Sequence, residues 1–173
     1  MLLTITNNEA VKELEYMDLF EAYPVDGIIL VGTVLTKLHR EKLKKCKVPV
    51  VIIGQKTKEV SCVYHDDYGA AKELAEVLGK GAEGRIAYIG VTREDKAAGA
   101  AREDGFREGL REVGKTLEEQ YVRYAEFTME SGYEKACDIL GKEDDIDIIS
   151  CATDTIAAGV IEAIKESAPN RQI

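Results

Sequence analysis

The stretch VPVVIIG, Val48 to Gly54, is apolar along its length and β-branched at nearly every position. A strand with one face in water alternates apolar with polar residues, whereas a strand covered on both faces does not need to. GIILVG, Gly27 to Gly32, has the same character. Both runs therefore read as strands of parallel sheets with helices on either side. Parallel neighbours need a crossover long enough for a helix, and a longer amphipathic segment separates the two runs.

Working outward, LLTIT, SCVYH, RIAYIG, YVRYAEF and IDIISCA are further β-rich runs, which gives seven in all, separated by stretches of helical period. That alternation is the signature of an α/β fold. Ala71, Leu74, Ala75 and Leu78 recur at helical spacing, as do Phe106, Leu110 and Val113. Tyr133, Ala136, Cys137 and Leu140 form another stripe, and Ile156, Val160, Ile161 and Ile164 a fourth, with Asp154 placed to cap its first turn. GKGAEG, Gly79 to Gly84, lies between a helix and the strand RIAYIG. A phosphate cradle has the opposite order, strand then loop then helix, so this segment reads as a helix stop and as a place for the chain to pass between subdomains.

The chain has 173 residues, 45% of them apolar, with a formal net charge of −9. It is long enough to bury a core, and the acidic surface opposes binding of this stretch to a polyanion such as DNA. No run approaches the roughly 18 apolar residues of a membrane span, and MLLTITNNEA lacks the basic segment and cleavage site of a signal peptide, so a cytoplasmic location is expected. Cys46, Cys62, Cys137 and Cys151 have no paired spacing suited to zinc or a redox dithiol. They read as reduced, buried thiols, and no metal or cofactor is expected.

Ligands of an open parallel sheet bind at the carboxyl ends of its strands. The chain places there Thr6 to Asn8, Gly32 and Thr33, Gly54 and Gln55, His65 to Asp67, Val91 to Arg102, Glu126 to Thr128, and Thr153 and Asp154. Hydroxyls, amides, carboxylates, two arginines and one aromatic ring suit a polyol, which offers hydroxyls at its rim and an apolar face. A catalytic constellation is harder to build. His39 falls in a charged helical segment and reads as surface, while His65 has no serine or cysteine nucleophile beside it. His65, Asp66 and Asp67 could form an acid-base cluster, but neighbours on a strand point to opposite sides, and a carboxylate before a helix is equally suited to capping it.

IGVTREDKAAGAAR, Ile89 to Arg102, is the most distinctive of these loops. Gly90 and Gly99 lie too far apart for a dinucleotide fingerprint, and Lys96 is followed by alanine rather than the serine or threonine of a P-loop. What remains is a strand, a polar loop, a small-residue helix start and Arg102 one turn inside. Arginine offers a planar fork of donors for vicinal hydroxyls, a carboxylate or a phosphate, and it also suits an ion pair with Glu94 or Glu103.

In order and spacing, VDGIIL, VPVVIIGQ, DDYGAAKELAEVL, RIAYIG, GAAREDGFREGL, TMESGYEKA and CATDTIAAG resemble the effector-binding core of the LacI/GalR family of bacterial transcription regulators. The wording of DDYGAAK, YIGVTREDKAAG and CATDTIAAG is most similar to the branch containing trehalose and sucrose operon repressors. The resemblance implies a periplasmic-binding-protein type I-like α/β fold: two doubly wound parallel-sheet subdomains, here residues 1–79 and 80–173, with a ligand cleft between them. It also implies a chain truncated at both ends, without the DNA-binding head.

Residue by residue, the resemblance makes Arg102 the grip on effector hydroxyls or acids, Phe127 the ring that packs on the ligand, and Thr153 and Asp154 polar neighbours. Asp66, Gln55 and Thr33 are implied on the amino-terminal side, and Lys96, with Arg93, as extra charge for a phosphate. The implied function is sensing of a disaccharide or its phosphate by a homodimeric repressor that meets operator DNA through an absent helix-turn-helix, with no bond made or broken. The alternatives are a solute-binding protein of a sugar transporter and an enzyme acting on a sugar phosphate.

Overall fold

Both deciding runs form strands in this computed structural model, which describes residues 1–32, 34–142, 145–167 and 173. β1 (Ile28–Val31) and β2 (Val50–Ile53) pair in parallel, with Ile28 opposite Val50. β3 (Ser61–Val63) lies parallel on the other side of β2. Helices α1 (Ala10–Ala22) and α2 (Lys37–Lys45) complete the first of two compact units, residues 1–65. Met17, Ile28, Leu43, Val50 and Ile52 form its core. The full cover expected for these strands is met on one face only among the described residues, because the strand positions between those core residues, Ile29, Val31, Ile53 and Val63, are exposed.

Two further readings of this unit are corrected. LLTIT is not a strand: residues 1–6 are irregular, Leu2, Leu3 and Ile5 are exposed, and Asn7 and Asn8 turn the chain into α1 with positive φ of 52° and 61°. Its apolar pattern alone cannot hold a strand whose N–H and C=O groups lack a ladder partner. His39 is buried rather than surface, because α2 turns it toward α1, where its Nε2 stands 3.2 Å from Glu13 Oε2. Its Nδ1 faces Thr36, the N-cap of α2, at 2.8 Å from Oγ1.

The second unit, residues 66–173, is doubly wound. Its parallel sheet has the order β5 (Val122–Tyr124), β4 (Arg85–Gly90), β6 (Ile146–Cys151). Along β4, Ile86 and Tyr88 face one cluster with Ala75, Phe106 and Leu110, from α3 (Asp67–Gly81) and α4 (Arg102–Glu112). Ala87 and Ile89 face the other, with Ala136, Ile139, Ile156 and Val160, from α5 (Met129–Leu140) and α6 (Asp154–Ser167). Fully burying each isoleucine, leucine, valine or phenylalanine among them is worth about 1.5–3 kcal/mol.

The expected subdomain boundary at Gly79 falls inside α3. This helix packs along α4, so the chain divides at His65 and Asp66. GKGAEG is a helix stop, as expected. Its backbone N–H groups at Glu83 and Gly84 are taken by the carboxylate of Asp147 on β6, at 2.8 Å for Glu83, which leaves no cradle for a phosphate.

Both helix pairs of this unit cross through glycine. A Cβ on Gly105 or Gly109 of α4 would come 2.2 Å from the carbonyl oxygen of Tyr68 or Lys72 on α3. On the other face, a Cβ on Gly159 of α6 would come 2.0 Å from the carbonyl oxygen of Met129, and one on Gly132 of α5 would come 2.5 Å from that of Ile156. The helices meet backbone to backbone at these glycines, an approach that larger side chains there would prevent. Gly105→Ala should therefore destabilise the protein by about 1–3 kcal/mol. Gly81→Ala, where a Cβ meets nothing within 4 Å, should change stability by less than about 0.5 kcal/mol. Urea unfolding of both variants checks the difference, and equal losses would contradict it.

Candidate functional site

The loop after β4 is built around Asp95. Its buried side chain accepts hydrogen bonds from the N–H groups of Ala97 and Ala98, both at 2.9 Å, and its carbonyl accepts one from Ala100, five residues on, at 2.8 Å. Residues Lys96–Ala101 thus form a π-helical turn, a conformation that widens the helix by one residue and recurs at functional sites. Gly99 is required in it, because a Cβ there would meet the carbonyl oxygen of Thr92 at 2.0 Å. Arg102 is therefore not one turn inside a regular helix. It stands at the junction where the π turn becomes α4.

From that junction the guanidinium of Arg102 reaches two elements. Its Nε donates to Asp67 Oδ1 at 2.8 Å, and its Nη1 donates to the carbonyl of Ala152 at the end of β6. Asp67 is buried, while the Arg102 side chain is about one-third exposed. Arg102 lines a cleft of about 410 Å³ together with Thr153 and Asp154 at the start of α6, with Leu74, Leu78, Ile149 and Ala157 as its apolar wall. Thr153, not Asp154 as expected, caps α6, its Oγ1 accepting from the N–H of Ile156 at 3.3 Å. Asp154 is exposed at that rim.

A second pocket of about 350 Å³ opens at the ends of β4 and β5, lined by Thr92, Arg93, Tyr124, Ala125 and Glu126. Beneath it lies Glu103, 2% exposed, which accepts from Arg93 Nη1 at 3.0 Å, Arg107 Nε at 2.9 Å and the Tyr124 hydroxyl at 2.9 Å. Burial alone would raise the Glu103 carboxyl, but the hydrogen bonds from Arg93, Arg107 and Tyr124 outweigh it and hold it below the usual glutamate range. Asp104 and Glu103 hold Arg93 more firmly protonated. Burial, then the bond to Glu103, pushes the Tyr124 hydroxyl up.

Arg102, Thr153 and Asp154 line one cleft. Lys96 turns its ammonium to the carbonyl of Arg93 at 3.1 Å. Phe127 packs half-buried against the α5–α6 core. Asp66 caps α3, accepting from the N–H of Gly69 at 3.0 Å, and His65 is exposed at the end of the first unit. Gln55 is buried in the first unit, and Thr33 lies outside the described residues.

The sequence reading missed Asp67 as the partner of Arg102; it named Glu103 only as an ion-pair partner of Arg102, whereas Glu103 pairs with Arg93 and Arg107, and it missed Tyr124 altogether. A signal for Glu103 existed: it precedes Phe106 and Leu110 by three and seven residues, which puts a carboxylate on an apolar stripe. Burial pushes the thiol of Cys151 up to about 11, in keeping with an unreactive packing role. Among the described residues no cluster of histidine, cysteine and carboxylate side chains is arranged to hold a metal ion, and no helix is long and apolar enough to cross a membrane.

Residues 1–170 match the family described as periplasmic binding proteins and sugar binding domain of LacI family. The chain belongs to this family. A LacI-family relative, the sucrose operon repressor of Staphylococcus xylosus, is 30% identical over 170 residues, covering 98% of this chain and 52% of the repressor. The transcription regulator CcpA of Lactococcus lactis superposes with a TM-score of 0.83 at 27% identity, over 96% of this chain and 61% of CcpA. The regulator CelR, solved in complex with cellobiose, superposes at 0.81 with 24% identity over 95% of this chain and 51% of CelR, a likeness of fold. The chain spans about half the length of the curated relatives it matches.

In this LacI-family domain, the Glu103 carboxyl titrates lower when folded than when unfolded. Its contribution to stability is therefore complete above the unfolded value of about 4.3 and is lost as pH falls through the depressed folded value. Thermal melts between about pH 6 and pH 3 should show a steeper loss of stability for the natural chain than for Glu103→Gln, and parallel curves would remove Glu103 from the acid response.

Proposed function

We propose that this chain is the effector-sensing part of a LacI-family transcriptional repressor and that its effector is a disaccharide. The observation that carries the reading is the position of Arg102. Its fork is held by Asp67 and the Ala152 carbonyl at the carboxyl ends of β4 and β6, and it lines one cleft with Thr153 and Asp154. Sites of this kind fix a ligand's orientation with a few polar groups set against an apolar wall. The family match and the sucrose operon repressor among the relatives support a sugar as the class of ligand.

A sugar changes repression only through a difference in its affinity for two arrangements of the protein. Contacts at Arg102 supply such a difference when one arrangement completes the site and the other does not. The regulator then works as a cytoplasmic homodimer that meets operator DNA through a helix-turn-helix, and no covalent chemistry is involved. The acidic balance of this chain accords with DNA contact made elsewhere in the protein.

Titration calorimetry of the full-length protein with sucrose, trehalose and their 6-phosphates tests the reading. Binding of at least one sugar is expected, together with a weakening of about tenfold or more, roughly 1.4 kcal/mol, in Arg102→Ala. Absence of binding to all of them would sink the proposal.

A further inference from the structure

We propose that Glu103 sets ligand selectivity: by holding both Arg93 and Tyr124, it makes the pocket at the ends of β4 and β5 a seat for an uncharged sugar ring and turns away a phosphorylated one. The inference rests on the sugar-binding reading above, with one ring of the disaccharide in the Arg102 cleft and the other in this separate pocket, and it specifies the class of sugar. The pocket, about 350 Å³, falls within the range of about 300–1,000 Å³ usual for small-ligand sites. Its apolar element is Tyr124, whose ring is exposed and stands beside Gly90, where a Cβ would lie 3.5 Å from the ring. The hydroxyl of Tyr124 is committed to Glu103, which fixes the ring as a platform for the apolar face of a pyranose.

A phosphate is held most directly by an arginine fork or a lysine ammonium whose N–H groups point at it. Arg93 lines the pocket, but its Nη1 is bound to Glu103 at 3.0 Å and its Nη2 to Asp104 at 2.8 Å. Arg102 and Lys96 do not line this pocket: the Nε and Nη1 groups of Arg102 are taken by Asp67 and the Ala152 carbonyl, and Lys96 is turned to the carbonyl of Arg93. The remaining charged group on the wall is the carboxylate of Glu126, which repels a phosphate dianion and accepts hydrogen bonds from sugar hydroxyls. Thr92 adds a hydroxyl on the same wall.

Glu103 is the positioning residue of this arrangement, because its carboxylate joins the loop after β4, helix α4 and the end of β5 through Arg93, Arg107 and Tyr124. Glutamine keeps its shape but loses the charge that ties down Arg93. The ratio of affinities for a neutral sugar and its phosphate therefore reads the role of Glu103, which a purely structural role would leave unmoved.

The test is calorimetric titration of the full-length protein, natural and Glu103→Gln, with sucrose, trehalose and the 6-phosphate of each. The natural protein should prefer a neutral sugar over its phosphate by about tenfold or more, and Glu103→Gln should cut that ratio by about tenfold, chiefly by gaining affinity for the phosphate. Preference of the natural protein for the phosphate overturns the inference and leaves the sugar reading standing. An unchanged ratio in a folded Glu103→Gln overturns the role of Glu103. Where Glu103→Gln does not fold, the exposed Asp104→Asn, which releases Arg93 Nη2 alone, should gain affinity for the phosphate by a few fold, and no gain overturns the inference. Binding of none of these ligands overturns the sugar reading and this inference with it.

Discussion

Close contact of helix backbones at glycine is the constraint on which the second unit depends. Tyr68, whose carbonyl sits against Gly105, is the neighbour of Asp67, and Gly105 lies three residues beyond Arg102. The crossing that brings α3 and α4 together therefore also sets the distance across which Asp67 and Arg102 pair. A side chain at the crossing would push the helices apart where the ion pair needs them close. On the opposite face, the contact of Gly159 with the backbone of Met129 fixes the starts of α5 and α6, and so sets Thr153 beside the end of β6. Packing and site geometry are one problem here, because the polar groups stand on the first turns of helices whose spacing is set a turn further along.

Charge in this unit follows the same logic of local satisfaction. The chain carries an excess of nine negative charges, yet Arg93, Arg102 and Arg107 around the site each meet a carboxylate. A buried carboxylate such as Glu103 is tolerated only because three donors surround it, since a lone charge at that depth would cost several kcal/mol. The site therefore presents neutralised arginine forks, hydroxyls and an aromatic ring rather than a cationic field. That inventory suits a ligand recognised by many weak, directional hydrogen bonds.

Much of this architecture is legible in the sequence, and the exceptions have physical causes. RIAYIG reads as a doubly covered strand and is one, because its alternate residues face two separate cores. VPVVIIG and GIILVG carry the same pattern, but helices α1 and α2 both lie on one side of their sheet, so the pattern states a demand that only one face meets among the described residues. LLTIT has strand composition without a ladder partner, which composition cannot report. His39 is misread because its charged neighbours suggest solvent, whereas its own position in α2 points at Glu13. Arg102 is legible as a polar group of the loop after β4, while its partner Asp67 is hidden by an equally good role as a helix-capping carboxylate. The contact between them spans 35 residues of chain, and no local pattern encodes it.

The π turn before Arg102 has an evolutionary consequence. One extra residue within a helical turn rotates everything after it by roughly 100° relative to a regular helix of 3.6 residues per turn. The direction of the arginine is thus set by the length of the segment from Asp95 to Ala101 more than by the identity of its small residues. Lineages descending from such a chain can exchange alanine for serine there at little cost, but a single-residue deletion would turn the arginine to another side of its helix. Ligand preference along such a lineage should drift through the substitutions surrounding this turn while the turn itself keeps its length.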